Sequence, residues 1–128
     1  MTEILLALLS AVTGYLFKSV DAYKNNTAKA KAYKTILEID FQQNIDILKY
    51  HDLTSNPFKS IKYKFWNSYR IQLAEYIPED AILYGKWLAA CQSLIRGVEN
   101  YPDPQTAVKD TVTEGLNALK TIASRKPQ

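Results

Sequence analysis

A single cysteine, Cys91, and a single histidine, His51, stand in the 128 residues of this chain. One thiol forms no intrachain disulfide, so nothing argues for an oxidising compartment. Zinc sites of the usual kind take three or four Cys or His ligands, more than one chain can supply here. No Glu-x-x-His pair occurs, which removes the carboxylate-bridged di-iron bundle. Glu38, Asp40, Asp46, Glu75 and Glu79 read instead as polar helix faces and caps. The four glycines, Gly14, Gly85, Gly97 and Gly115, are isolated, so there is no loop to cradle a phosphate. Cys91 lies in an apolar stripe beside Trp87 and Leu88, which suits a buried structural thiol better than a nucleophile needing a base and an electropositive pocket. No catalytic residue, cofactor or metal is expected, and the chain does not read as an enzyme.

Glycine and proline are scarce, at 4 and 5 residues. Few turn residues favour a few long helices over many short strands. Charge is nearly balanced: the formal net charge is +3, and the isoelectric point is about 8.9. A nucleic-acid binder presents a clustered basic face, which this balance does not by itself provide, so nucleic acid is not an expected partner. Apolar residues make up 47% of the chain and charged residues 23%, as in a globular domain able to bury a core without staples.

The N-terminal segment has the most pronounced pattern. From Ile4 to Phe17 the sequence is almost unbroken apolar, and the apolar residues fall all round a 3.6-residue helix. Such a helix is covered on every side, by protein or by lipid. Only Glu3 is charged before the run, and no small-residue cleavage site follows it, so it does not read as a removed signal peptide. We read Ile4, Leu5, Leu6, Leu8, Leu9, Val12, Leu16 and Phe17 as a membrane anchor, with Tyr15, Phe17 and Tyr23 at its interfacial end. The run is short for a span of about 20 residues, and Asp21 is awkward beside it. The alternative is a central helix of a soluble bundle or a dimer interface. Lysines crowd the C-terminal flank. Lys18, Lys24, Lys29, Lys31 and Lys34 form a basic junction against one acid, Asp21. The positive-inside rule then places the N-terminus outside and the body in the cytoplasm, with the lysines against an anionic leaflet or simply solvated.

The remainder reads as helices. From about 26 to 52 the stripe is Tyr33, Ile36, Leu37, Phe41, Ile45 and Leu48, with Asp40 and Asn44 on or beside it. Asn56-Pro57 starts a second helix, expected to continue to about Ile77 with Phe58, Ile61, Phe65, Tyr69, Leu73 and Ile77 inward, a stripe widened by Trp66 and Tyr76. Ile61 to Phe65 alternates as a strand would, but sits inside the helical period. Pro78 stops that helix, and Glu79 and Asp80 open the next, whose stripe runs from Leu83 and Tyr84 through Trp87, Leu88 and Cys91 to Val98. Asp103-Pro104 caps the last helix, from about 104 to 124. Its face of Ala107, Val108, Thr111, Val112, Gly115, Leu116, Leu119, Ile122 and Ala123 is small-sided and expected to be the least firmly held.

The expected fold is all-α: an apolar anchor and basic junction over residues 1–24, then a four-helix antiparallel bundle over residues 25–128. Lys59, Lys62 and Tyr63, where basic and aromatic residues interleave, and Tyr101, one of four tyrosines off the stripes (with Tyr23, Tyr50 and Tyr63), are the candidate partner surface. The functional expectation is a membrane-anchored helical interaction module or accessory subunit with a protein partner, or a homo-oligomer. The alternative is a soluble helical binding protein.

Overall fold

The computed structural model describes residues 26–52 and 56–125. The anchor residues, together with Lys18 and Lys24, lie outside the described residues. Within them the chain is all-helical, with four α-helices and no strand. Helix α1 spans Asn26–Lys49, α2 Lys64–Tyr76, α3 Pro78–Gly97 and α4 Pro104–Ser124. Short 3-10 turns at Pro57–Ser60 and Val98–Asn100 lie before α2 and after α3.

The four helices form a ring in which α1 packs on α2 and α4, and α3 packs on the same two. Neighbours are antiparallel. Tyr33 of α1 stacks on Tyr76 at the end of α2, ring centroids 5.4 Å apart, while Asn44 further along α1 reaches Lys62 ahead of α2. On the other flank Lys34 meets Ile122 near the end of α4, and His51, after α1, meets Gln105 at its start. Across the ring α1 and α3 run in the same direction and join through the core. Phe41 stacks on Tyr84 at 4.5 Å and tilts against Trp87 at 5.0 Å.

The periodic stripe of α1 is the stripe that is buried: Tyr33, Ile36, Leu37, Phe41, Ile45 and Leu48 all lie in the interior, and Asp40 and Asn44 go in with them. Phe58, Leu73, Tyr84, Leu88, Cys91 and Ile122 complete the core. Both proline starts hold. Asn56 accepts from the Phe58 amide at 3.1 Å and Asp103 from the Gln105 amide at 3.0 Å, each filling one orphan donor of the following turn.

One expected helix is broken. The segment 57–77 is not continuous: after the 3-10 turn, Ile61 is extended, at φ −60° and ψ 137°, and α2 begins only at Lys64. The cause is Asn44. Its side-chain carbonyl accepts from the Lys62 amide at 2.9 Å and its amide donates to the Lys62 carbonyl at 3.0 Å. Both backbone groups that a helix would use at Lys62 are taken. The β-branched Ile61 and the aromatic Tyr63 and Phe65 around it resist helix only weakly, so this clamp decides the local structure.

Helix α4 differs in another way. Ala107, Val108, Thr111, Gly115 and Ile122 are buried, but Leu116 and Ala123, expected inward, are exposed. Gly115 sets the rotation. A β-carbon there would stand 2.8 Å from Trp87 Nε1 and 3.1 Å from Ile45 Cγ1, so the indole lies directly against the helix backbone. The Trp87 indole donates to the Thr111 carbonyl at 2.9 Å, and the Thr111 hydroxyl bonds back to the Ala107 carbonyl at 2.8 Å. The small-sided face gives a close seat.

Candidate functional site

Two buried polar clusters join the helices. The first runs from Asp40 through Tyr84 to Asn44. Tyr84 donates its hydroxyl to Asp40 in a short bond, Asn44 donates to the Tyr84 oxygen at 2.8 Å, and Asn44 also clamps Lys62. Burial pushes the Asp40 carboxyl up to about 6, against the opposing effect of the Tyr84 hydrogen bond. Burial likewise pushes the Tyr84 phenol well above its ordinary value, reinforced by the carboxylate of Asp40. A phenol held neutral in this way is a hydrogen-bond donor and not a nucleophile.

The second cluster joins three helices by charge. Lys34 is only 7% exposed; its ammonium is 3.1 Å from the Asp80 carboxylate and donates to the Ile122 carbonyl. Arg125 reaches the other Asp80 oxygen at 3.4 Å and Glu79 at 3.1 Å. Burial raises Glu38, half-exposed beside Lys34, above its ordinary value, partly offset by the Lys34 charge. Lys34 therefore leaves the basic junction. It ties α1 to α3 and α4, because Asp80 in the first turn of α3 and the Ile122 carbonyl near the end of α4 converge on it.

The other sequence candidates are dispersed. Lys29 is half-buried, with its ammonium 5.7 Å over the Tyr76 ring, and Lys31 is exposed. Lys59 and Lys62 are exposed before α2. Tyr63 is half-buried; its hydroxyl reaches the Leu88 carbonyl at 3.5 Å, and burial pushes its phenol up to about 12. Tyr101 is exposed on the loop after α3. Cys91 is buried, and burial pushes its thiol up to about 12. Both ring nitrogens of His51 are engaged elsewhere, Nδ1 with the Leu48 carbonyl at 2.6 Å and Nε2 with Gln105 at 3.3 Å. Among the described residues no group of three or more His, Cys, Asp or Glu is placed to hold a metal, and no helix is long and apolar enough to cross a membrane. Trp66 and Tyr69, expected in the core, are half-buried and packed against its edge.

Among the described residues there is an open feature that the periodic stripes did not point to. Between α2 and α3 lies an apolar groove of about 640 Å³. Trp66, Ala74, Ala81 and Gly85 line it, and Ile71 and Ile82 stand on its two sides, 74% and 55% exposed. Gly85 makes room for the Trp66 ring: a β-carbon would stand 2.8 Å from it. Arg70 and Lys86 flank the groove, and no acidic residue lines it. A smaller, more polar recess continues from Trp66 and Arg70 toward Tyr63 and Gln92. The sequence signal was present: Ile71 and Ile82 are the large apolar residues that the stripes of their helices leave out. Comparison of the chain with protein-family models, with curated proteins and with solved structures returns no match.

Proposed function

We propose that the chain is a non-catalytic, membrane-anchored helical module that recruits or stabilises a protein partner, held by Ile4 to Phe17 with its body on the cytoplasmic side. One observation carries this reading. Every buried side-chain nitrogen and oxygen among the described residues has a hydrogen-bond partner, so the interior polar groups are consumed in holding helices together, whereas the apolar groove between α2 and α3 is open. Chemistry needs polar groups poised toward a cavity, and recognition needs exposed apolar surface with a polar rim. The all-round apolar run and the lysines that follow it support the anchor.

Carbonate washing of membranes tests it. The full chain is expected in the pellet, and a chain starting near Asn25 in the supernatant. A full-length protein that is soluble and monomeric without detergent overturns the anchor. It would favour instead the alternative in which the apolar run covers a face of a soluble bundle.

A further inference from the structure

The geometry points to an anionic phospholipid surface as what the open α2–α3 face rests on, an inference that builds on the membrane-anchored reading. The face has the needed chemistry. Ile71 and Ile82 project from facing helices, and between them lies an apolar floor. Arg70 on α2 and Lys86 on α3 offer cations on both sides. Exposed apolar residues between cations suit the boundary of acyl chains and phosphate headgroups, where the one group inserts and the other pairs. Nearby acids do not oppose this: Glu79 is paired with Arg125 at 3.1 Å, and Glu75, the only acid of α2, does not line the groove.

Position supplies the second argument. The groove includes the corner at Ala74 and Pro78. The first turns of α1 lie against that corner, through Lys29 over the Tyr76 ring and Tyr33 stacked on it. The first turns of α1 are therefore near the groove. Even fully extended, the residues between Phe17 and Asn26 reach no more than roughly 30 Å, so an anchor ending at Phe17 keeps this corner near the bilayer. The other large exposed hydrophobics among the described residues are on other elements: Tyr50 follows the far end of α1, Tyr101 is in the loop leading to α4, and Leu116 is on α4.

Trp66 makes the inference measurable, because it lines the groove while Trp87 is buried. The full chain is reconstituted into vesicles of phosphatidylcholine, alone or with one third phosphatidylserine, each carrying brominated phosphatidylcholine as a quencher. Tryptophan quenching is expected to be at least about twofold greater with phosphatidylserine. W66F should lose the quenching. The charge reversals R70E and K86E together, or I71E and I82E together, should bring it down to the level without phosphatidylserine, with carbonate resistance unchanged. A chain that resists carbonate but shows no quenching overturns the inference and leaves the anchor standing. Equal quenching in both vesicles also overturns it, since the contact would not need anionic lipid. Disulfide-linked dimers of an I82C variant, with Trp66 unquenched, would put a second copy on this face and overturn it. Serine-lipid-dependent quenching of a chain that carbonate extracts supports the face, and the anchor reading alone falls.

Discussion

Among the described residues Asp40 is held in the interior by one phenol and no cation, and that arrangement has a pH signature. Its carboxyl titrates at about 6 in the fold, against an ordinary value near 3.8. The native state therefore holds a proton that the unfolded chain has released between those values. This contribution to stability is fully present below pH ~4 and is lost as pH rises through ~6. Replacing Asp40 with Asn removes the ionisation and keeps an acceptor for Tyr84. The expected result is near-equal stability of D40N and the parent at pH ~3, and D40N more stable at pH 7.5 by on the order of 2–3 kcal/mol, read from urea unfolding. A pH-independent difference would mean that the carboxyl is not buried as described. Asn44, 1% exposed, has the opposite character: its contribution is geometric. N44A leaves the Lys62 amide and carbonyl without their partner, and about 2–4 kcal/mol of stability should be lost at every pH. These residues also show where sequence reading works. The 3.6-residue period placed both on the buried side of α1, because a helix carries polar residues inward as faithfully as apolar ones. It could not show what they would meet, since Tyr84 and Lys62 are distant in the chain. The same blindness put Lys34 among solvated lysines: a run of like charge looks uniform until Asp80 is brought to one member of it.

At the scale of the helix, local rules located the ends well and the interruption badly. Asn56-Pro57 and Asp103-Pro104 act through neighbours two residues away, and both caps are present. The break at Ile61 to Tyr63 depends on a clamp from another helix, and no local pattern carries that information. The rotation of α4 was likewise hidden, since its stripe gave Gly115 and Leu116 equal claim to the interior and only the Trp87 ring chooses between them. Two glycines make this testable. G97A adds a methyl where the nearest atom is Leu94 Cδ2 at 3.8 Å, with φ at −67°, so it should be neutral or stabilising by up to about 1 kcal/mol. G115A adds the same methyl 2.8 Å from the Nε1 of an indole fixed by its bond to Thr111, and should destabilise by about 1–3 kcal/mol despite better helix propensity. Urea midpoints of the two variants should move in opposite directions, or G97A not at all.

For the molecule as a whole, the ring of four helices leaves none of them peripheral. The last helix presents a small face, which by area alone would make it the loosest element. It is nevertheless fixed at both ends of its contact, by Trp87 at Thr111 and by Lys34 at Ile122. Hydrogen exchange of the full chain should therefore show amides of 105–122 protected to a similar degree as those of 33–48. Faster exchange throughout the later segment would mean that α4 opens separately from the rest.

The closure of that ring has a consequence for how the protein is made. Helix α1 packs on α4, the helix furthest from it in sequence, and the Lys34 ammonium finds its carbonyl partner in Ile122. On the ribosome α1 emerges first and α4 last. Throughout synthesis the stripe from Tyr33 to Leu48 has only part of its cover, and Lys34 lacks one of its bonds. The nascent chain thus spends its elongation with a sticky amphipathic helix partly exposed, and its interior is complete only once α4 has docked. Holdase chaperones would decide how much of the newly made protein survives that interval.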